Sequence, residues 1–217
     1  MDDGSTRPLM PGERAPHFSL PAIDREGTVS LDDYVGRQPL LLALFLGLWC
    51  PFCRKQIAGL ARSAQRLRER GVETLGVVAT SPENARLYFR FRPAAMPMAA
   101  DPELVTHRLY RLPVFEVTPE YEAHAKALKV NPTGELPDPV SLWEIGGHLD
   151  RLHGFERSGT DQVDMERQYG LVRGQFLLDR DGVVRWANIE CAREGLPGVG
   201  KFPTEEELLE AARLLES

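Results

Sequence analysis

Two hydrophobic periods alternate along this chain, and their order predicts an α/β protein. Leu40 to Leu46 is an unbroken apolar run between Pro39 and Gly47. That is the pattern of a strand buried on both faces, in a parallel or mixed sheet with helices on either side. After Pro51 the period changes. Cys53, Ile57, Leu60, Ala61, Ala64 and Leu67 fall on one helical stripe that Gly71 closes. Val72 to Ala79 reads as the next strand, giving a strand–helix–strand unit with a right-handed crossover. A helix over 83–92, a short strand over Met96–Ala100 and a helical turn from Asp101 through Leu109 follow. Gln175–Asp179 and Val183–Ala187 flank Arg180-Asp181-Gly182, whose Asp-Gly pair predicts a hairpin. Thr204 and Glu207 form a capping box ahead of a last helix, with Leu208, Leu209, Ala211, Ala212, Leu214 and Leu215 on one face.

Two stretches break this rhythm. Residues 1–15 read as a flexible arm, and Phe18, Leu20 and Ile23, interrupted by Pro21, as an extended edge segment. From Pro113 to Gly159 the chain carries five prolines by Pro139, three glycines before residue 150 and clustered charge. Thr118 there is an N-cap with Pro119 at the first helical position, for a helix to about Leu128. Residues 113–159 are expected to be an insertion within one domain over 1–217, since too few residues remain for a second full domain. Its Trp143, Ile145, Leu149, Leu152 and Phe155 would either pack on the parent sheet or form a lid or docking surface.

Composition narrows the function classes. The chain has 217 residues, 42% of them hydrophobic, which is enough for a core without disulfide staples. A formal charge of −6 speaks against nucleic-acid or anionic-membrane partners. The acidic, polar N-terminus lacks an apolar signal region, and the seven-residue run at Leu40 is too short to span a bilayer, so a cytoplasmic, reducing setting is expected. Three cysteines are too few, and odd in number, for a secreted disulfide framework.

Two of the three stand in Trp49-Cys50-Pro51-Phe52-Cys53, between the buried strand and its crossover helix. At a helix N-terminus the unpaired N–H groups and the helix dipole stabilise a thiolate at Cys50, while Cys53 belongs to the apolar stripe. An exposed nucleophile followed by a sheltered thiol is what thiol–disulfide exchange requires. The competing reading is half of a zinc site, but Cys191 and five scattered histidines supply no second ligand pair. Arg54 and Lys55 are expected close enough to Cys50 to lower its pKa, and Trp49 to pack at the strand end. Cys191 reads as a bystander, and no histidine has ligand or triad spacing.

On these residues the chain resembles the thioredoxin-like superfamily in its peroxiredoxin branch, the alkyl hydroperoxide reductase/thiol-specific antioxidant group. The similarity lies in Pro11-Gly12-Glu13-Arg14-Ala15-Pro16-His17-Phe18, in Gly27 to Tyr34, in Leu44 to Gln56 and in Gly170 to Val184. It implies a central mixed sheet flanked by helices, with the insertion before the last strands. Arg173 matches the branch's active-site arginine, which stabilises the thiolate and the charge on the leaving oxygen. Two positions depart from the branch. Gly47 stands where it has a threonine three residues before the nucleophile, and Ala43 where it has a proline.

The expected activity is a thiol-dependent oxidoreductase. Cys50 would attack a peroxide or a disulfide, and Cys53 would resolve it to an intramolecular disulfide, with Arg173 assisting and Gly47, Trp49 and Pro51 lining the pocket. An external thiol would regenerate the dithiol, no bound cofactor or metal is needed, and a homodimer stays open. The alternative is a redox sensor or partner-binding protein that uses the dithiol as a switch without turning over.

Overall fold

A computed structural model describes residues 7–215. The sequence-predicted strand at Leu40 becomes the centre of a five-stranded mixed sheet. After β1 (Ser19–Pro21) and β2 (Thr28–Ser30), which pair as a small antiparallel hairpin, the chain enters β3 (Leu40–Phe45). It continues through α1 (Pro51–Arg68), β4 (Glu73–Val78), α2 (Pro82–Phe91), β5 (Met98–Ala100) and α3 (Val105–Leu109). Next come α4 (Pro119–Ala127), the β6 (Lys129–Val130) and β7 (Val140–Ser141) pair, α5 (Ile145–Leu152) and α6 (Gly159–Gln168). The hairpin β8 (Gly174–Leu178) and β9 (Val184–Ile189) and the helix α7 (Glu205–Arg213) close the fold. The strand order is β5-β4-β3-β8-β9. β3 runs parallel to β4 and antiparallel to β8, and β4 runs parallel to β5.

All six residues of β3 are buried, and strand alternation divides them between two cores. Leu41, Ala43 and Phe45 join the apolar stripe of α1 (Cys53, Ile57, Leu60, Ala64, Leu67) together with residues of α2, α5 and α7. Leu40, Leu42 and Leu44 face Phe18, Leu31, Tyr110 and Phe176. The helices therefore crowd one face. The other is covered by chain from Leu9 to Tyr34 and by Tyr110 and Leu112 at the end of α3. Burial of each such leucine contributes roughly 1.5–3 kcal/mol, which is what keeps this central strand in register.

The expected arm needs correction over its described part; residues 1–6 of it lie outside the described residues. Leu9 and Ala15 are buried, Gly12 N–H donates to Val184 at 2.8 Å and Ala15 N–H to Gly182 at 2.8 Å. Two buried apolar side chains and backbone pairing to β9 hold this segment in place.

Between Pro113 and Gly159 the expected helix forms, with Thr118 Oγ1 accepting from Tyr121 N–H at 3.2 Å. Ile145 and Leu149 of α5 sink into the same core as Cys50 and Cys53, whereas Trp143 and Leu152 remain exposed. The stretch thus packs on the parent sheet and also leaves an aromatic face beside the dithiol.

Candidate active site

Cys50 is the N-cap of α1. The sequence puts it there because Pro51 has no N–H to lose in the first helical turn and its fixed φ suits that turn. The Cys50 Sγ accepts the Cys53 N–H at 3.3 Å, taking one of the donors that a helix start leaves free. Burial alone would push this thiol up. A hydrogen bond from the Cys53 side chain, the positive charge of Arg173 and the Cys53 N–H outweigh it and bring the thiol down to about 7, against a pull upward from Glu190. Cys53 moves the other way. Its burial, its hydrogen bond to Cys50 and the neighbouring thiolate hold it well above the ordinary thiol range. The two sulfurs are chemically unequal: one ionises near neutrality and the other stays protonated.

Arg173, directly before β8, is 2% exposed. Its Nε donates to Glu190 Oε2 at 2.9 Å, a second short bond joins Nη2 to Glu190 Oε1, and Nη1 donates to Gln56 Oε1 at 2.7 Å. Glu190 in turn accepts from the N–H groups of Arg173 at 3.1 Å and of Gly200 at 2.9 Å. Every lone pair direction of that carboxylate is engaged, which is the condition for keeping a buried ion pair. The fork is thereby aimed and cannot swing away from the cysteines.

Two expectations about charge and exposure fail here. Cys50 is only 3% exposed, so it is no exposed nucleophile; it lies in the wall of a cavity of about 930 Å³. Residues of α5 and the chain from Met165 to Arg173 form the facing walls. Nor do Arg54 and Lys55 tune the thiol. Arg54 is buried, donating to Leu48 O at 2.6 Å and to Asp150 at 2.6 Å, with its guanidinium 3.7 Å from the centroid of the Phe155 ring. Lys55 pairs with Glu135 at 3.0 Å. Arg173 supplies the cation instead.

Trp49 and Pro51 line the cavity, as does Phe52. Gly47 does not line it; it is buried behind Trp49, whose Cδ1 would stand 2.7 Å from a Cβ at that position. Cys191 lines a different cavity, and burial pushes its thiol up to about 12. His148 alone of the histidines lies on the dithiol cavity. Sequence reasoning missed Glu190, Gln56, Asp150 and Gln168. Each is polar and buried, yet each partner lies 17 to 144 residues away along the chain, so no local pattern announces it. Gln56, one turn beyond Cys53, was the accessible signal.

A mixed five-stranded sheet with two cysteines at the start of the helix after its central strand defines a thioredoxin-like protein. The chain belongs to the AhpC/TSA family, whose model matches residues 11–136, more than half of its length. It is similar to Peroxiredoxin Bcp of Escherichia coli strain K12, with 38% identity over 76 residues. That alignment covers 35% of this chain and 47% of the relative, so the chain spans about half the length of the curated relative it matches. Among solved structures, the reduced 2-Cys peroxiredoxin of Plasmodium vivax superposes with a TM-score of 0.60 at 15% identity, covering 95% of this chain and 81% of that one. Peroxidoxin BcpB of Mycobacterium tuberculosis gives 0.57 at 12%, covering 95% and 96%. At these identities the structures establish the thioredoxin-like fold. Among the described residues no helix is long and apolar enough to cross a membrane.

Proposed function

We propose that this chain is a thiol peroxidase in which Cys50 is the nucleophile and Cys53 the resolving thiol. One observation carries the reading: the Cys50 sulfur sits at a helix N-terminus under the charge of Arg173, opens to a cavity, and accepts a hydrogen bond from the backbone N–H of the residue that would resolve it. The Cys50 thiolate attacks one oxygen of ROOH, the O–O bond breaks, and RO⁻ leaves and takes a proton to become ROH. Arg173 offsets the charge that develops on that oxygen. Cys50 is left as a sulfenic acid. Loss of the Cys50 thiolate then removes one cause of the high Cys53 pKa, so Cys53 ionises more easily and attacks the Cys50 sulfur. Hydroxide leaves as water, the Cys50–Cys53 disulfide forms, and two equivalents of an external thiol restore the dithiol.

A second reading, a switch that is oxidised once and signals, rests on the Arg54–Asp150 bond, which ties the residue after Cys53 to α5. Rapid mixing of the reduced protein with hydrogen peroxide and with an organic hydroperoxide separates the readings. Turnover well above that of a free thiol supports the peroxidase; Cys50→Ser abolishes it and Cys53→Ser stops at the sulfenic acid. A rate no better than a free thiol's, with altered proteolysis over 113–159 on oxidation, supports the switch. Full activity in the Cys50→Ser protein defeats both.

A further inference from the structure

The reaction leaves one buried polar residue beside the site without a role. Gln168, the last residue of α6, is fully buried. Its Oε1 accepts two hydrogen bonds, from Gly47 N–H at 2.6 Å and from Trp49 Nε1–H at 2.9 Å, and its Nε2 donates to Ala79 O at 2.5 Å. One side chain therefore joins the end of α6, the chain just after β4 and the loop that carries Cys50. The connection continues. Gly47 O accepts the Cys50 N–H at 3.1 Å, closing a tight turn, so only two consecutive hydrogen bonds separate Gln168 from the Cys50 backbone.

The same loop is held on its other side. Leu48 O accepts from Arg54, and Arg54 is itself braced by Asp150 of α5. Position 47 has no space for a side chain, because a Cβ there would meet Trp49 Cδ1 at 2.7 Å and Gln168 Oε1 at 3.1 Å. The indole lies against the Gly47 backbone, and Gln168 bonds both. Trp49 is also a wall of the cavity into which Cys50 opens.

We infer that Gln168 is a positioning residue of the thiol site. It fixes the Gly47–Cys50 turn and the Trp49 indole, and through them holds the Cys50 sulfur at the helix start within the field of Arg173. It never touches the sulfur. The inference rests on the reading of Cys50 as the nucleophile, and extends the site to α6, beyond the residues of the family match. Removing the acceptor leaves a buried Gly47 N–H and an indole N–H unpaired, so the turn must shift to regain partners. A displacement near one ångström at a reacting group is enough to slow its chemistry severely.

The test uses the full reduced chain. Gln168→Met keeps length and removes the acceptor. Two readouts are taken: the Gly47 amide proton resonance, and the pH dependence of iodoacetamide alkylation at Cys50, located by peptide mapping. The Gly47 resonance is expected to move upfield as its hydrogen bond is lost. The alkylation midpoint is expected to rise, with the rate at neutral pH falling about tenfold. A folded Gln168→Met protein with an unchanged Cys50 profile overturns the proposal, since a merely structural residue would lower thermal stability without moving that profile. Should this variant fail to fold, Gln168→Glu decides. Buried and protonated, a glutamic acid offers one acceptor and one donor in nearly the same places. The Gly47 resonance and the Cys50 profile should then match wild type below the carboxyl's ionisation and shift together above it; independent behaviour overturns the proposal. Alkylation consumes no peroxide. A protein inert toward peroxides would defeat the peroxidase reading and leave this result readable.

Discussion

Replacing Arg173 tests the electrostatics of the site most directly, and the structure dictates how the replacement must be made. Arg173→Gln alone would strand Glu190, a buried carboxylate, at a cost of about 3–5 kcal/mol, and instability would obscure the result. Arg173→Gln with Glu190→Gln removes both charges and keeps side chains that can hydrogen-bond. The two charges act on Cys50 in opposite directions, and the lowering by Arg173 is the larger. The hydrogen bonds from Cys53 persist in the double variant, so the thiol should climb part of the way from about 7 toward its ordinary value of 9.0. An opposite charge at close range shifts a titration by about one to three units, and a rise of about one unit leaves roughly a tenth of Cys50 as thiolate at neutral pH instead of about half. Ultraviolet absorbance of the thiolate, followed through a pH titration, measures this. Cys53 stays protonated well above the ordinary range and Cys191 up to about 12, so the transition near neutrality belongs to Cys50. A double variant that still titrates near pH 7 would refute the assignment of Arg173 as the thiolate's counter-charge.

Three further outcomes follow from the fold. His107 is buried with neither ring nitrogen hydrogen-bonded, and burial lowers it to about 4 despite the nearby Asp101. Its neutral form is the one the folded state favours, so its contribution is fully present above pH 6.5 and is lost as pH falls from 6.5 toward 4. His107→Leu should lessen the loss of stability across that window in urea melts; an identical acid profile would contradict the sign. Gly170 has φ of +87° and a Cβ there would run into the Phe115 carbonyl oxygen, so Gly170→Ala should cost about 2 kcal/mol or more in chemical denaturation. Leu149→Ala, in the core shared by α5 and the dithiol, should cost about 2–5 kcal/mol; a loss below about 0.5 kcal/mol would mean that α5 does not pack there in solution.

What the sequence revealed and what it hid divide along a physical line. β3, α1 and the β8–β9 hairpin are set by local periodicity and turn chemistry, and they stand within a residue or two of expectation. Thr118 and Thr204 cap their helices as their spacing predicts, because a cap is settled within four residues. The dithiol was legible for the same reason. Charge pairing was not. Arg54 looked like a free cation beside Cys50, and only the tertiary fold brings Asp150 and Phe155 to it from far along the chain. The exposure of Cys50 was misjudged likewise, since the walls over it come from α5 and from residues 165–173. The packing of residues 7–15 was hidden because their partners, Gly182 and Val184, lie in the last hairpin.

Those N-terminal residues have a consequence for how the molecule behaves in a crowd. A sheet of five strands ends in two rows of unpaired backbone groups, and such rows recruit other chains. Here the earliest described part of the chain attends to both margins. Gly12 and Ala15 bond beside β9, where Arg14 bridges Val183, while Ala22 bridges Ala99 and Ile23 donates to Met98 on β5. A single stretch of about a dozen residues thus blunts opposite borders of the same sheet. Trimming it would strip Ala15, Phe18, Leu20, Ala22 and Ile23 from the two cores and open two templates for intermolecular pairing at once. The loss would appear as precipitation at high concentration together with a fall in the stability of the fold.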